Sequence, residues 1–264
     1  MLRDLFAPLA VHLAVESILA GSTPGRIVVD DPSAPRAGLA WFHSRVFLAG
    51  AGEHAASRAA VSQALQAQVL PEMRAAGRDG FVIFSHGEGW QPALDEALAG
   101  LTRYRPLRQH YVCTRLSADW RPLLPAAFEL RQADRLLLED SGLKGLEALR
   151  EEMVSERPTV EDFLERSFGV CLVQRETREL AGWCLSEYNT GERCEVGVAT
   201  AEPYRRQGLG AAMTLALVEM ALERGLRQVG WDCWARNEAS GALARRAGFE
   251  LVEEFPVELV ILEE

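Results

Sequence analysis

The sequence predicts an α/β protein of the α+β kind in two units, and two observations carry that reading. Short apolar runs of strand length alternate along the chain with longer runs of helical period. One order of elements also occurs twice: helix, three strands, long helix, strand, helix, strand. A smaller α/β domain is expected over residues 1–116 and a second domain over 126–264. The second should hold a mixed, mostly antiparallel twisted sheet flanked by helices. Residues of the two halves do not align, so the first is a candidate diverged copy by layout alone.

The elements follow in order. Leu2, Phe6, Leu9, Leu13 and Ile18 roughly keep helical spacing. Arg3, Asp4, His12 and Glu16 interrupt them, and no clear cleavage site follows, so no signal peptide is expected. Strands are expected at 26–30, 38–42 and 45–49, with Pro32, Ser33 and Pro35 marking the first turn. A helix rich in Ala and Gln covers 54–76, then a strand 81–85, a helix 92–99 and a strand 111–114. The stretch 117–125 reads as the linker, with Pro122 and Pro125 around Asp119 and Arg121.

A strand at 128–131 opens the second half. Helices follow at 143–153 and 159–167, the latter capped by Thr159 with Glu161 and Asp162 in its first turn. Strands at 169–174, 179–187 and 194–200 lead into a helix at 209–224. Its apolar face is Leu209, Met213, Ala216, Leu217 and Met220, and Gly225 stops it. A strand 228–233, a helix 238–247 and strands 250–253 and 257–262 complete the chain.

Composition narrows the function classes. The 264 residues are 48% hydrophobic and 25% charged, the ordinary globular mix. A net charge of −10 repels phosphate backbones and anionic lipid, so neither nucleic acid nor membrane is an expected partner. The same field attracts cationic amines. No stretch approaches the ~20 apolar residues that a membrane span needs. Cys113, Cys171, Cys184, Cys194 and Cys233 are odd in number and form no C-x-x-C pair. Reduced thiols, a cytoplasmic location and no metal are therefore expected.

The informative segment is 195–212, EVGVATAEPYRRQGLGAA. An apolar strand runs into Arg205, Arg206, Gln207, Gly208, Leu209 and Gly210, and a helix starts immediately. Two glycines without Cβ let the backbone turn tightly and approach a ligand. The free N–H groups of the helix start then converge, and with the helix dipole and the arginines they describe a pyrophosphate cradle. The plain alternative is a polar loop that merely starts a helix.

Here the sequence resembles the GNAT superfamily of N-acetyltransferases. Arg205, Gly208 and Gly210 match its Q/R-x-x-G-x-G/A signature, and Asn237, Ser240 and Gly248-Phe249 match a second motif downstream. YRRQGLG followed by WDCWARNEASGALARRAGF looks, more narrowly, like the zwittermicin A resistance acetyltransferase family. The resemblance covers 128–253 well and the first half only in layout. It implies a C-terminal GNAT fold behind a degenerate GNAT-like half.

It further implies acetyl-CoA as co-substrate, and transfer of its acetyl group to the primary amine of a small molecule by direct attack. Pantetheine would lie along Val198 and Thr200, with the pyrophosphate on Arg205, Arg206, Gln207, Gly208, Leu209, Gly210 and Ala211. Asn237 would bond near the pantetheine arm; it is equally a helix N-cap, and one asparagine can do both. A non-catalytic acyl-CoA sensor and a protein N-acetyltransferase are the alternatives. The molecule is expected to be a monomer or homodimer.

Glu195 is the candidate base, with Glu187 as its substitute; a solvated strand-end carboxylate is the plain reading of either. Strand alternation places Glu195 opposite in facing to Thr200, and a bulge would restore it. Ala244 stands where the superfamily usually has a tyrosine acid. Tyr204 is a substitute acid or, more simply, a packing residue. Trp231, Trp234, Cys194 and Cys233 read as core or rim, and His86 and His110 have no partner that spacing reveals. The segment GAGEHA from Gly50 occupies the cradle's place in the first half but lacks arginines. Its acidic Glu53 also disfavours a phosphate, so no cofactor is expected there.

Overall fold

The computed structural model describes residues 1–262 and divides into two compact units. One comprises Met1–Leu107 with the segment from Phe255 onward, the other Arg108–Glu254.

The first unit opens with helices α1 (Leu2–Phe6) and α2 (Leu13–Leu19) and strands β1 (Arg26–Val29), β2 (Ala37–Phe42) and β3 (Arg45–Gly50). Helix α3 (Ala55–Ala64) follows, then a π-helical turn (Leu65–Val69) and α4 (Leu70–Ala75). The sequence reads this stretch as one helix. Pro71 has no N–H to give the preceding turn, and the wider turn just before it absorbs the mismatch. Strand β4 (Gly80–Ser85), α5 (Gln91–Ala97) and β5 (Thr102–Tyr104) complete the run. Leu39, Trp41, Val46 and Leu48 of the sheet pack on Val61, Leu65 and Met73 to form this unit's core.

Strand β6 (Leu107–Cys113) enters the second sheet. After it come β7 (Phe128–Gln132), α6 (Arg135–Leu138), α7 (Leu146–Ser155), α8 (Val160–Arg166), β8 (Gly169–Gln174), β9 (Glu179–Thr190) and β10 (Arg193–Thr200). Helix α9 (Leu209–Glu223), β11 (Gln228–Trp234), α10 (Glu238–Arg246), β12 (Glu250–Pro256) and β13 (Glu258–Ile261) finish the order. Thr159 caps α8 as expected, its Oγ1 accepting from Asp162 N–H at 3.0 Å. Met213, Leu217 and Ala221 of α9 pack on Cys194, Val196 and Val229 on one face of the sheet. On the other face, Leu138, Leu149, Met153 and Phe163 pack on Cys171, Val173 and Leu185.

The strand orders are β1-β2-β3-β4-β13-β5 and β12-β6-β11-β10-β9-β8-β7. Each sheet therefore receives one strand from the other half of the sequence. The chain changes unit between Leu107 and Arg108 and returns after Glu254. This differs from the expected boundaries at 116 and 126. The segment 117–125 belongs to the second unit: Ser117 Oγ donates to the Ala247 carbonyl at 2.9 Å, and Trp120 Nε1 to Glu219 Oε2 at 2.7 Å. Prolines mark irregular backbone there, not a separable joint.

Both sheets contain one parallel pair that precedes a helix start. In the first, β3 and β4 stay paired from Arg45↔Val82 through Leu48↔Ser85. In the second, β10 and β11 pair only at Arg193↔Gln228, Cys194↔Val229 and Glu195↔Gly230. Beyond that point β10 keeps β9, and β11 keeps β6. The two strands thus part, leaving one edge of β10 with N–H and C=O groups that no strand uses.

Candidate active site

The parting of β10 and β11 opens a cleft of about 700 Å³ in the second unit. Val198, Thr200, Arg205, Arg206, Gly208, Leu209, Gly210, Ala211 and Asn237 all line it. Gln207 does not; its Nε2 donates to the Pro203 carbonyl at 3.2 Å and braces the loop. The loop is shaped by two left-handed residues, Arg206 at φ 61° and Gly208 at φ 80°. Gly208 holds that conformation at no steric cost as the N-cap of α9. The Ala211 N–H already bonds the Gly208 carbonyl at 3.1 Å, and the N–H groups before it, on Leu209 and Gly210, have no acceptor within the helix and are left to the cleft. Arg205 Nε donates to the Thr200 carbonyl at 2.9 Å, which fastens the loop to the end of β10.

The rest of the lining comes from α10, through Ala239, Ser240, Ala242, Leu243 and Arg246, with Ala199 from β10 and Tyr204 from the turn before the loop. Positions 239, 242, 243 and 246 fall on one helical face, which is the signal that spacing offered for them. Arg246 is the consequential one. Its Nη2 lies 3.5 Å from where a Cβ on Gly208 would stand. Asn237 both lines the cleft and caps α10, its Oδ1 accepting from Ser240 N–H at 3.1 Å.

Glu195 lies elsewhere. A register shift does occur between Cys194 and Val196, where Asn189 and Ser186 are the partners. The extra residue is on β9, so Glu187 and Tyr188 stand against Glu195 alone. Strand β10 keeps its alternation, and Glu195 faces away from Thr200 and α9. It is buried, at 4% exposure, beside the last parallel pair before the strands part. A Cβ on Gly230 would meet Glu195 Cγ at 3.1 Å and His110 Cε1 at 3.2 Å, so both side chains share this face. Opposite His110 in the β6–β11 ladder is Asp232, and His110 Nδ1 lies 3.1 Å from Asp232 Oδ2. A ring nitrogen of His110 and a carboxylate oxygen from each of Glu195 and Asp232 lie within 4.8 Å of one another, a set that could also hold a metal ion.

His110 is fully buried. Burial pulls its imidazole down, but the Asp232 hydrogen bond and charge, joined by Glu195 and Glu253, outweigh this and raise it above its ordinary value. The sequence hid this site because the His110–Asp232 contact is 122 residues long.

Glu187 is half-buried on the same face as Glu195, its Oε1 occupying the space a Cβ on Gly197 would need. It borders a small cavity with Glu152, Glu156 and Arg157. The Tyr188 hydroxyl bonds Glu156, and burial, then Glu156, pushes the Glu152 carboxyl up.

Other singled-out residues have structural partners. The Tyr204 hydroxyl donates to Glu179 at 3.0 Å while its ring stands edge-on to Phe128. Trp231 Nε1 donates to Ser240 Oγ at 3.0 Å, and Arg108 covers the Trp234 ring at 4.7 Å. All five cysteines are buried and free; burial pushes the Cys194 thiol up to about 12, which disfavours its thiolate. Ala244 is fully buried and brings no acid. In the first unit the loop after β3 is closed. Trp90 Nε1 and Arg58 Nη1 donate to the Gly50 and Gly52 carbonyls, and the backbone of Gly89 sits where a Cβ on Gly52 would go.

A sequence model described as GNAT acetyltransferase matches residues 3–257. YdfB of Bacillus subtilis, an uncharacterized N-acetyltransferase, is 25% identical over 259 residues, spanning 97% of this chain and 92% of its own. A GCN5-related N-acetyltransferase-like protein from Streptococcus suis has the same fold at TM-score 0.69 and 22% identity, covering 97% and 98% of the two chains. A tandem GNAT protein from the clavulanic acid biosynthesis pathway matches at TM-score 0.54 and 17% identity, covering 89% and 81%. The doubled layout, the mixed sheets and the family match over nearly the whole length agree: the chain belongs to the GNAT acetyltransferase family and is an N-acetyltransferase.

Proposed function

We propose that the co-substrate is acetyl-CoA, held in the β10–α9–α10 cleft, and that the acceptor is the primary amine of a small molecule. The observation that carries this reading is the parting of β10 from β11 above a helix start ringed by Arg205, Arg206 and Arg246. An amide-bearing pantetheine arm suits the unused edge of β10 near Val198 and Thr200. A pyrophosphate suits the α9 N-terminus, where glycines leave room and three guanidinium groups supply charge in a protein of net charge −10. When bound, the co-substrate supplies an activated acyl group as a thioester.

The chain's own residues then do the rest. Glu195 receives the amine's proton, because only a neutral amine attacks a carbonyl carbon. The carboxylates of Glu195 and Asp232, on the face away from α9, favour a cationic acceptor. The finer resemblance to the zwittermicin A resistance acetyltransferase family fits a small acceptor. Five buried free thiols suit a cytoplasmic setting.

Thermal melts with acetyl-CoA, CoA and NADH test the donor. Acetyl-CoA at ~100 times its dissociation constant should stabilise the fold by roughly 2.7 kcal/mol. A shift with NADH and none with either CoA species refutes the assignment. Thiol release across primary amines and a lysine peptide then fixes the acceptor class.

A further inference from the structure

We propose that His110, carried into the second sheet on β6, is the proton relay behind Glu195, with Asp232 holding its tautomer. This rests on the amine-acetylating reading above. His110 acts through Glu195, so its role is positioning and proton storage, without contact to substrate.

An ionised carboxylate can only accept, so the 3.1 Å contact with Asp232 Oδ2 places a proton on His110 Nδ1. In the neutral ring the basic lone pair is then on Nε2. That atom is buried and has no hydrogen-bond partner among the described residues. An orphaned buried ring nitrogen normally costs stability, and a cycle in which it gains and loses a proton accounts for it. The third member, Glu195, lies within the same 4.8 Å set, where β10 and β11 part.

The proton count calls for such a device. An ammonium must lose two protons to become an amide. One reaches the departing thiolate as the C–S bond breaks and the N–C bond forms, and the other leaves the site. Glu195 takes a proton from the nitrogen, His110 Nε2 takes it from Glu195, and it passes to solvent when the product leaves. The charged groups facing His110 are Asp232 on β11, Glu195 on β10 and Glu253 on β12, and all favour its cation. The imidazole is thus a stronger base than usual, able to accept only above its raised value. Activity should therefore rise with pH through that value.

The test is the pH profile of kcat/KM for wild type, His110→Gln and Asp232→Asn, with putrescine, lysine, ethanolamine and glucosamine as acceptors. Loss of the acid limb and a fall of about 100-fold in kcat, with KM for acetyl-CoA unchanged, is expected for His110→Gln. The nearly isosteric Asp232→Asn should fall similarly while keeping the wild-type melting temperature. An unaltered profile with kcat within about twofold in both variants overturns the relay. If wild type turns over no amine, the small-amine reading fails instead. The relay is then judged by the NMR titration of the His110 Cε1 proton: Glu195→Gln must lower its midpoint, and an unmoved midpoint overturns it. Added Zn²⁺ that stabilises wild type but not His110→Gln would make the cluster a metal site and also overturn the relay.

Discussion

Arg246 is the one cation of the cleft that the loop motif does not contain. It reaches the α9 start from the last turn of α10. Arg205 has a second task, since its Nε holds the Thr200 carbonyl. The two residues should therefore fail differently. Arg246→Ala removes only charge and should weaken CoA about tenfold, or ~1.4 kcal/mol. Arg205→Ala should weaken it by at least as much and also loosen the loop, with Arg205→Lys restoring charge but not the bond to Thr200. Calorimetric titration at two ionic strengths measures both, and the loss should shrink at higher salt. Equal CoA affinity in wild type and both alanine variants would mean the arginines only solvate the loop. The contrast also shows what the sequence made legible. Arg205, Gly208 and Gly210 sit within one short segment, so their joint role could be read locally. Arg246 and His110 join the site through packing and a strand pairing, which no local pattern records.

The same difference separates the two helix starts that follow parallel strands. At α9, a Cβ on Gly210 would meet Leu243 Cδ2 at 3.0 Å and stand 3.7 Å from Thr200 Oγ1, inside the cleft. A leucine side chain can yield, so Gly210→Val should weaken CoA binding tenfold or more with a small change in melting temperature. At α3, a Cβ on Gly52 would meet the backbone of Gly89 and the N–H of Trp90 at 2.7 Å. Backbone yields less easily, so Gly52→Val should cost about 1–3 kcal/mol, a few degrees of melting temperature, and leave CoA affinity unchanged. Titration of wild type should give one CoA per chain. A second site abolished by Gly52→Val would overturn the expectation that the loop after β3 holds no cofactor. Strand periodicity and glycine punctuation located the longer elements in both halves but missed the short β5 (Thr102–Tyr104) and α6 (Arg135–Leu138), which are too brief to show a period. The break before Pro71 and the extra residue on β9 escaped that reading, since one needs the turn geometry and the other the register of a pair.

Exchange of strands makes the sequence halves and the folded units different objects. Strand β6 lies between β11 and β12, and β13 lies between β4 and β5. A fragment cut at the proline-rich segment, residues 126–264, would lack β6 entirely. Its β11 would present an unpaired edge where Tyr111 and Cys113 now enter the core, and β12 would have no neighbour. Losing buried Tyr111 alone removes an amount comparable to a large core truncation, about 3–5 kcal/mol. That is a large share of the ~5–15 kcal/mol that holds a domain together. Residues 108–254 instead contain the second sheet, short only of Leu107 at the start of β6 and Phe255 and Pro256 at the end of β12, together with α9, α10 and the cleft. The longer cut at its start should therefore be the one that works: 108–254 should unfold cooperatively and retain acetyl-CoA binding, while 126–264 should aggregate or show no transition. Circular dichroism melts of the two fragments with and without acetyl-CoA decide it. A cooperative, CoA-stabilised transition in 126–264 would show that β6 is dispensable for the fold and the cleft of the second unit.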